Sequence, residues 1–352
     1  LDNFTDGSVV LENAHNIPIV SNVYNKNEVD ALIQESQTNT IYIDSARNDA
    51  YTADGTKRKP YKSLKTALET HPTGSLVFDL APGFYDGTIS LTSTTAQSIC
   101  IRGSGKDQTV IRGAPTWSSA TGNVLYLKNF GRVELSNLTL TLGAYGFYPR
   151  SCQSVVIDQV KFEKLGSSGI VANHGFSGTQ TQQSAFWADV ESSNGGAMRV
   201  RDCGEVNVAN CEIEYCLRGM RIQDCGRGLI SNNRVYRTIE AGIYLAAGTY
   251  TGQSGCNNFH ITGNSCEECF NNGILVIGGK DNTLHSNVIV KSANAGIMLW
   301  HALNTRVSGN SLHNCNQISY NGIGNSGDTA ACIAVDGNTG IGSGSYIATL
   351  VN

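Results

Sequence analysis

Three separate phases of this chain repeat with one period, and that period restricts the fold more than any other feature. A glycine followed by an apolar residue opens a short strand-like stretch at Gly146-Phe147, Gly169-Ile170, Gly196-Ala197-Met198, Gly219-Met220, Gly242-Ile243, Gly273-Ile274 and Gly296-Ile297. The steps 146→169, 219→242 and 273→296 are each 23 residues. A second element, apolar-x-apolar-x-x-Asn-x-apolar, runs out of phase with the first. It passes through Phe259, Ile261, Asn264 and Cys266, then Leu284, Asn287 and Ile289, then Val307, Asn310 and Leu312. Earlier rungs fit through Ile230, Asn233 and Val235, through Val206, Val208, Cys211 and Ile213, and through Val155, Ile157, Val160 and Phe162. A unit of this length holds three short strands of period two, and such strands bury an apolar face only when stacked about 4.8 Å apart. The expected fold class is therefore all-β: a right-handed parallel β-helix with three short strands per coil. The amides of Asn264, Asn287 and Asn310 should stack into a ladder at one corner.

Composition agrees. Of 352 residues only 15% are charged, against about 25% in an ordinary globular protein. The chain has 39 glycines and 6 prolines without a Gly-X-Y period, which excludes collagen. A net charge of −4 argues against broad nucleic-acid binding. No apolar run approaches the roughly 20 residues of a membrane helix, so no membrane insertion is expected. The opening Leu1-Asp2-Asn3-Phe4-Thr5-Asp6 shows no basic n-region or apolar h-region, so no signal peptide is expected. The 11 cysteines fall mostly at apolar positions of the repeat and read as small, reduced, buried hydrophobes. Cys203 and Cys225, on successive coils, come close enough to permit a bridge. Cys266 and Cys269 have CxxC spacing without a second such pair, which argues against zinc. No metal or cofactor is expected.

Residues 1–44 differ in character from the repeat domain, 45–352. Asn27 caps a short predicted helix whose Val29, Leu32 and Ile33 form one narrow apolar stripe. A lone helix of about ten residues is marginal in water, so the stripe calls for a partner. It could be another subunit or the chain's own β-helix.

Two coils exceed the period, which places insertions within about 174–195 and 247–257. Both are expected to leave the coil just after a Gly-apolar strand. Loops on a rigid solenoid commonly build its binding site. The first carries His174, Phe176, Trp187, Asp189 and Glu191, and the second carries Tyr250. Period-two alternation between them puts Met198, Val200, Met220, Ile222, Ile243 and Leu245 inside. Arg199, Arg201, Arg221, Gln223 and Tyr244 then face out, with Tyr148, Met298 and Trp300 extending the stripe. Three arginines on adjacent rungs suggest an acidic ligand, or an ion-paired face with Asp202, Asp224 or Glu214. The candidate binding set is thus Arg199, Arg201, Arg221, Tyr244, His174, Trp187 and Trp300.

Glycoside hydrolysis needs two carboxyl groups about 5–5.5 Å apart for retention or 6.5–9.5 Å for inversion. Asp202 and Asp224 occupy equivalent places on successive rungs, though each also suits a turn. Glu240, at the corner entering the same stretch, is the leading single candidate, and Glu214 projects outward from the preceding strand. A lyase would draw its base from residues such as Arg221, Tyr244 or His174.

The run Leu80-Ala81-Pro82-Gly83-Phe84-Tyr85, and then Ile99 through Gly113 with Gly103-Ser104-Gly105, resembles the opening coils of the pectate-lyase-like superfamily. The stretch Pro60-Tyr61-Lys62-Ser63-Leu64-Lys65-Thr66-Ala67-Leu68 resembles the short helix that caps the open end of such coils. The resemblance covers about 45–345. It specifies the fold and leaves the chemistry open, because this scaffold hosts lyases, hydrolases, esterases and adhesins. The N-terminal segment resembles the linkers before the receptor-binding domains of trimeric bacteriophage tailspikes. These resemblances imply a homotrimeric phage tailspike of the capsule or O-antigen depolymerase type, attached to the tail through its N-terminus. Such a protein is assembled in the host cytoplasm and carried on the virion. It would hydrolyse a bacterial surface polysaccharide, act as a lyase, or bind glycan without cutting it.

Overall fold

The computed structural model describes residues 39–116, 122–166, 195–248, 255–292, 294–315, 332–336 and 349–351. The predicted helix with Val29, Leu32 and Ile33 lies outside them. The fold is a right-handed parallel β-helix, as the period requires. Each coil contributes one strand to each of three rows, for example Glu205–Ala209, Glu212–Cys216 and Met220–Gln223. The first row runs from Thr40–Ile43 to Thr349–Val351, the second from Gly83–Asp86 to Ser311–His313, and the third from Ile89–Thr92 to Ile333–Asp336. Arg132–Gly143 and Ser154–Leu165 pass unbroken through the corner between the first two rows. They join these rows into one 18-stranded sheet beside the 9-stranded third row.

Register explains the core. In the first row Leu135, Ile157, Val208, Ile230, Ile261 and Leu284 lie directly above one another, and all are fully buried. Burying each such side chain stabilises the fold by about 1.5–3 kcal/mol. The asparagine ladder forms at the corner that follows. Asn233 Nδ2 donates to Asn264 Oδ1, Asn264 Nδ2 to Asn287 Oδ1, and Asn287 Nδ2 to Asn310 Oδ1, each at 2.9 Å. The same oxygens accept the backbone N–H of the preceding asparagine. Turn amides that no strand satisfies are thereby paired inside the coil.

Helix α1, Leu64–Thr70, closes the N-terminal end with Leu64, Ala67 and Leu68 buried. Its N-cap Ser63 accepts a hydrogen bond from the Thr66 N–H at 3.3 Å, as Ser at this position should.

One expectation is corrected. Tyr145–Arg150 pairs directly with Gly196–Arg201, with Gly196 opposite Tyr145 and Arg201 opposite Arg150. No third-row rung lies between them, so Gly169-Ile170 does not open one. The first insertion therefore enters between the second and third rows, before Gly196. The second follows the third-row strand Ile243–Ala246. The chain thus departs for the first before entering the third row and for the second after leaving it, instead of at one shared corner. A glycine-apolar pair is a local turn signal, and here it imitates a rung.

Candidate functional site

The outer face of the third row carries two columns. One runs Tyr126, Tyr148, Arg199, Arg221, Tyr244 and Leu275, each opposite the next. The other runs Lys128, Arg150, Arg201, Gln223 and Ala246. Alternation in the sequence located Arg199, Arg201, Arg221, Gln223 and Tyr244. It missed Tyr126, Lys128 and Arg150, although Leu125-Tyr126-Leu127-Lys128 shows the same alternation two rungs earlier.

Like charges stacked on adjacent strands repel unless something intervenes. Arg199 lies over the Tyr148 ring at 5.3 Å and donates to the buried Gln223 Oε1 at 3.2 Å. Arg221 lies over the Tyr244 ring, also at 5.3 Å. Tyr126 meets Tyr148 edge-on at 5.1 Å. The rings hold the guanidiniums by cation–π attraction without cancelling their charge. Among the described residues no carboxylate pairs with Arg199 or Arg221, and their buried Nε atoms have no hydrogen-bond partner.

Asp202 answers the other pair of arginines, at 3.5 Å from Arg150 and 3.3 Å from Arg201. Asp224 accepts the Gly248 N–H at 2.8 Å and a side-chain N–H from Gln223 at 3.3 Å. Both aspartates have left-handed backbone, with φ of 55° and 51°, which Asp tolerates better than most residues. They sit one rung apart at the edge of the cationic strip, each at a left-handed turn position with its carboxylate hydrogen-bonded or ion-paired.

The remaining candidates separate. Glu240 lies at the corner leading into the third row and forms a buried ion pair with Arg218, whose guanidinium also donates to the Gly195 carbonyl at 3.4 Å. Glu214 is on the second row, paired with Arg234 at 2.7 Å and Lys161 at 4.0 Å. The neighbouring Glu163 hydrogen bond raises the Lys161 ammonium above its ordinary pKa. Glu214 therefore belongs to a different face from the arginine strip. Trp300 stacks on His301 at the far end of the third row, beside outward-facing but buried Leu275 and Ile277. His174 and Trp187 lie outside the described residues. Tyr215 and Tyr236, on the second row, are not among the sequence candidates: Tyr236 faces out by alternation opposite Glu214, whereas Tyr215 follows Glu214 at a left-handed corner position that alternation does not place.

A family model described as a right-handed β-helix region matches residues 123–289. Another, described as periplasmic copper-binding protein (NosD), matches residues 253–333. No curated protein matches the chain. Among solved structures, the A-module of a mannuronan C-5 epimerase from Azotobacter vinelandii is similar at 14% identity, covering 77% of this chain and 74% of that one, with a TM-score of 0.46. An alginate lyase from a Paenibacillus species has 12% identity over 84% of this chain and 98% of that one, with a TM-score of 0.40. The Dettilon tailspike protein has 14% identity over 90% of this chain and 71% of that one, with a TM-score of 0.39.

Proposed function

We propose that this chain binds and depolymerises an acidic polysaccharide of a bacterial surface, as the receptor-binding part of a homotrimeric phage tailspike. In this reading the N-terminus joins it to the tail and the mature protein is carried on the virion. The observation that supports glycan binding best is the third-row strip. It is long, axial and lined by tyrosine rings, and Arg199 and Arg221 carry charge that no described carboxylate offsets. Tyrosine faces suit the apolar faces of pyranose rings, and guanidiniums without a described carboxylate partner suit carboxylates on them.

For hydrolysis, Asp202 and Asp224 are the favoured acid and base. Their rung separation of about 4.8 Å lies close to the carboxyl spacing of about 5–5.5 Å in retaining enzymes. Glu240 holds Arg218, which also donates to the Gly195 carbonyl just before the strip's strand Gly196–Arg201. A second reading, β-elimination, is favoured by one contact: the Arg221–Tyr244 pair puts a cation next to a phenol whose phenolate form is the base that elimination requires.

The test is incubation with purified capsular polysaccharides and O-antigens, followed for new reducing ends and for the ultraviolet absorbance of unsaturated uronates. Reducing ends without absorbance support hydrolysis, and absorbance supports elimination. Binding without either reduces the chain to an adhesin. No binding to any member of a broad panel overturns the reading.

A further inference from the structure

From Arg132 onward, seven successive described coils turn from the second row to the third through one residue with left-handed backbone. These are Leu142, Lys164, Tyr215, Arg237, Glu268, Lys291 and Asn314, with φ between 52° and 59°. The corner between the first and second rows needs the same conformation, with φ from 54° to 66°, and fills it with Asn137, Gln159, Asn210, Asn232, Gly263, Ser286 and Gly309. Left-handed backbone costs an ordinary L-residue about 1–2 kcal/mol, which Gly and Asn largely avoid. One corner thus uses Asn or Gly at five of seven turns, and the other at Asn314 alone. The same geometry would accept asparagine at both corners. Strain retained where a cheaper residue fits points to a task for the side chains.

Those side chains form a line along the axis, one per rung. Tyr215 is 36% exposed and meets Tyr236 edge-on at 5.9 Å. Arg237 lies over both rings, at 5.9 Å from Tyr215 and 5.0 Å from Tyr236. Glu268 bridges Arg237 at 2.6 Å and Lys291 at 3.2 Å. Lys164 is exposed one rung before Tyr215. The ridge therefore offers aromatic surface, cations and a carboxylate in alternation at the rung spacing of about 4.8 Å.

We propose that this corner is a second saccharide-binding site, separate from the third-row strip, that seats a pyranose on Tyr215. Lys164 and Arg237 meet its hydroxyl or carboxylate groups on either side. Mixed donors and acceptors around a flat apolar ring match a polyhydroxylated ring better than an apolar peptide. A repeating ridge matches a repeating polymer. The inference rests on the reading of the chain as a glycan binder.

The test uses Tyr215→Asn and Lys164→Asn in the full chain, with Gln159→Asn at the first corner as the control. Melting temperature and affinity for an array of purified acidic and neutral bacterial polysaccharides are both measured. If the ridge binds sugar, the first two variants melt no lower than wild type and lose about tenfold or more in affinity, roughly one good contact. The control should gain stability and keep its affinity. Unchanged affinity in Tyr215→Asn and Lys164→Asn overturns this site alone. A fall in melting temperature together with affinity makes the residues structural and also overturns it. Failure of wild type to bind any glycan removes the functional reading itself.

Discussion

Glu240 and Arg218 lie on successive coils at one corner, and their ion pair is largely shut off from water, with side-chain exposures of 17% and 6%. Breaking a buried pair by removing one charge costs about 3–5 kcal/mol, because the other is stranded. Arg218 keeps its bond to the Gly195 carbonyl, so Glu240→Gln should lower stability by up to about that much in urea titration. The double variant Glu240→Gln with Arg218→Met should recover most of the loss. A Glu240→Gln protein of wild-type stability but without turnover would reverse the assignment and make Glu240 catalytic. Asp202 and Asp224 should behave in the opposite way. Asn keeps left-handed backbone as readily as Asp, so Asp224→Asn should fold nearly normally. Turnover should fall by about 10²–10⁴-fold if its carboxyl group takes part in proton transfer. Initial rates on a susceptible polysaccharide decide it, and near-normal rates in both aspartate variants would place the chemistry elsewhere. Arg199, Arg201 and Arg221 were legible in the sequence because alternation along a strand is strictly local. The partner of Glu240 was not, because corner pairs depend on which residues stack across coils of unequal length.

At the scale of elements, the asparagine corner should tolerate change unequally. Asn287→Ala orphans the buried Asn264 N–H, which now donates to Asn287 at 3.1 Å, whereas Asn264 Nδ2 loses its bond to Asn287 but keeps the Ile230 and Thr262 carbonyls. An orphaned donor costs about 1–3 kcal/mol. Asn310 receives the same pair of bonds from Asn287 but is partly exposed, so water can replace it and Asn310→Ala should cost less. Equal losses in the two variants would contradict this account of the ladder. The interior thiols supply a pH prediction. Burial pushes Cys211 and Cys216 up to about 12 from 9.0. Each resists ionisation in the fold but ionises freely once unfolded. Their contribution is complete below about pH 9 and declines as pH rises toward 12, by up to about 1.4 kcal/mol per unit for each thiol. The melting temperature should drop as pH rises from about 9 toward about 12, and Cys216→Ala should flatten that drop. The strands and ladder could be read beforehand because three phases shared one period. The first insertion was misplaced because a turn signal carries no record of the row it serves.

The whole molecule joins a net charge of −4 to one face with the opposite character. If it acts as a trimer, light scattering should give about three times 37.6 kDa at micromolar concentration, and a monomer mass would remove that proposal. The charge distribution makes a sharper prediction. Lys128, Arg150, Arg199, Arg201 and Arg221 occupy four consecutive rungs of the third row, and Asp202 offsets only part of that charge. Positive charge is thus concentrated in this strip of a chain with net negative charge, and an acidic polymer is attracted there only at short range. The Debye length shrinks from about 10 Å at 0.1 M salt to about 3 Å at 1 M. Raising salt across that range should weaken binding of an acidic polysaccharide by about tenfold or more. Binding of a neutral one, held by the tyrosines, should hardly change. Arg221→Ala should reproduce part of the salt effect at low salt, because it removes a charge that no described carboxylate offsets. Surface plasmon resonance at several salt concentrations, with wild type and Arg221→Ala side by side, measures both. Salt-insensitive binding of an acidic polymer would mean that the cationic strip is not where the glycan lies.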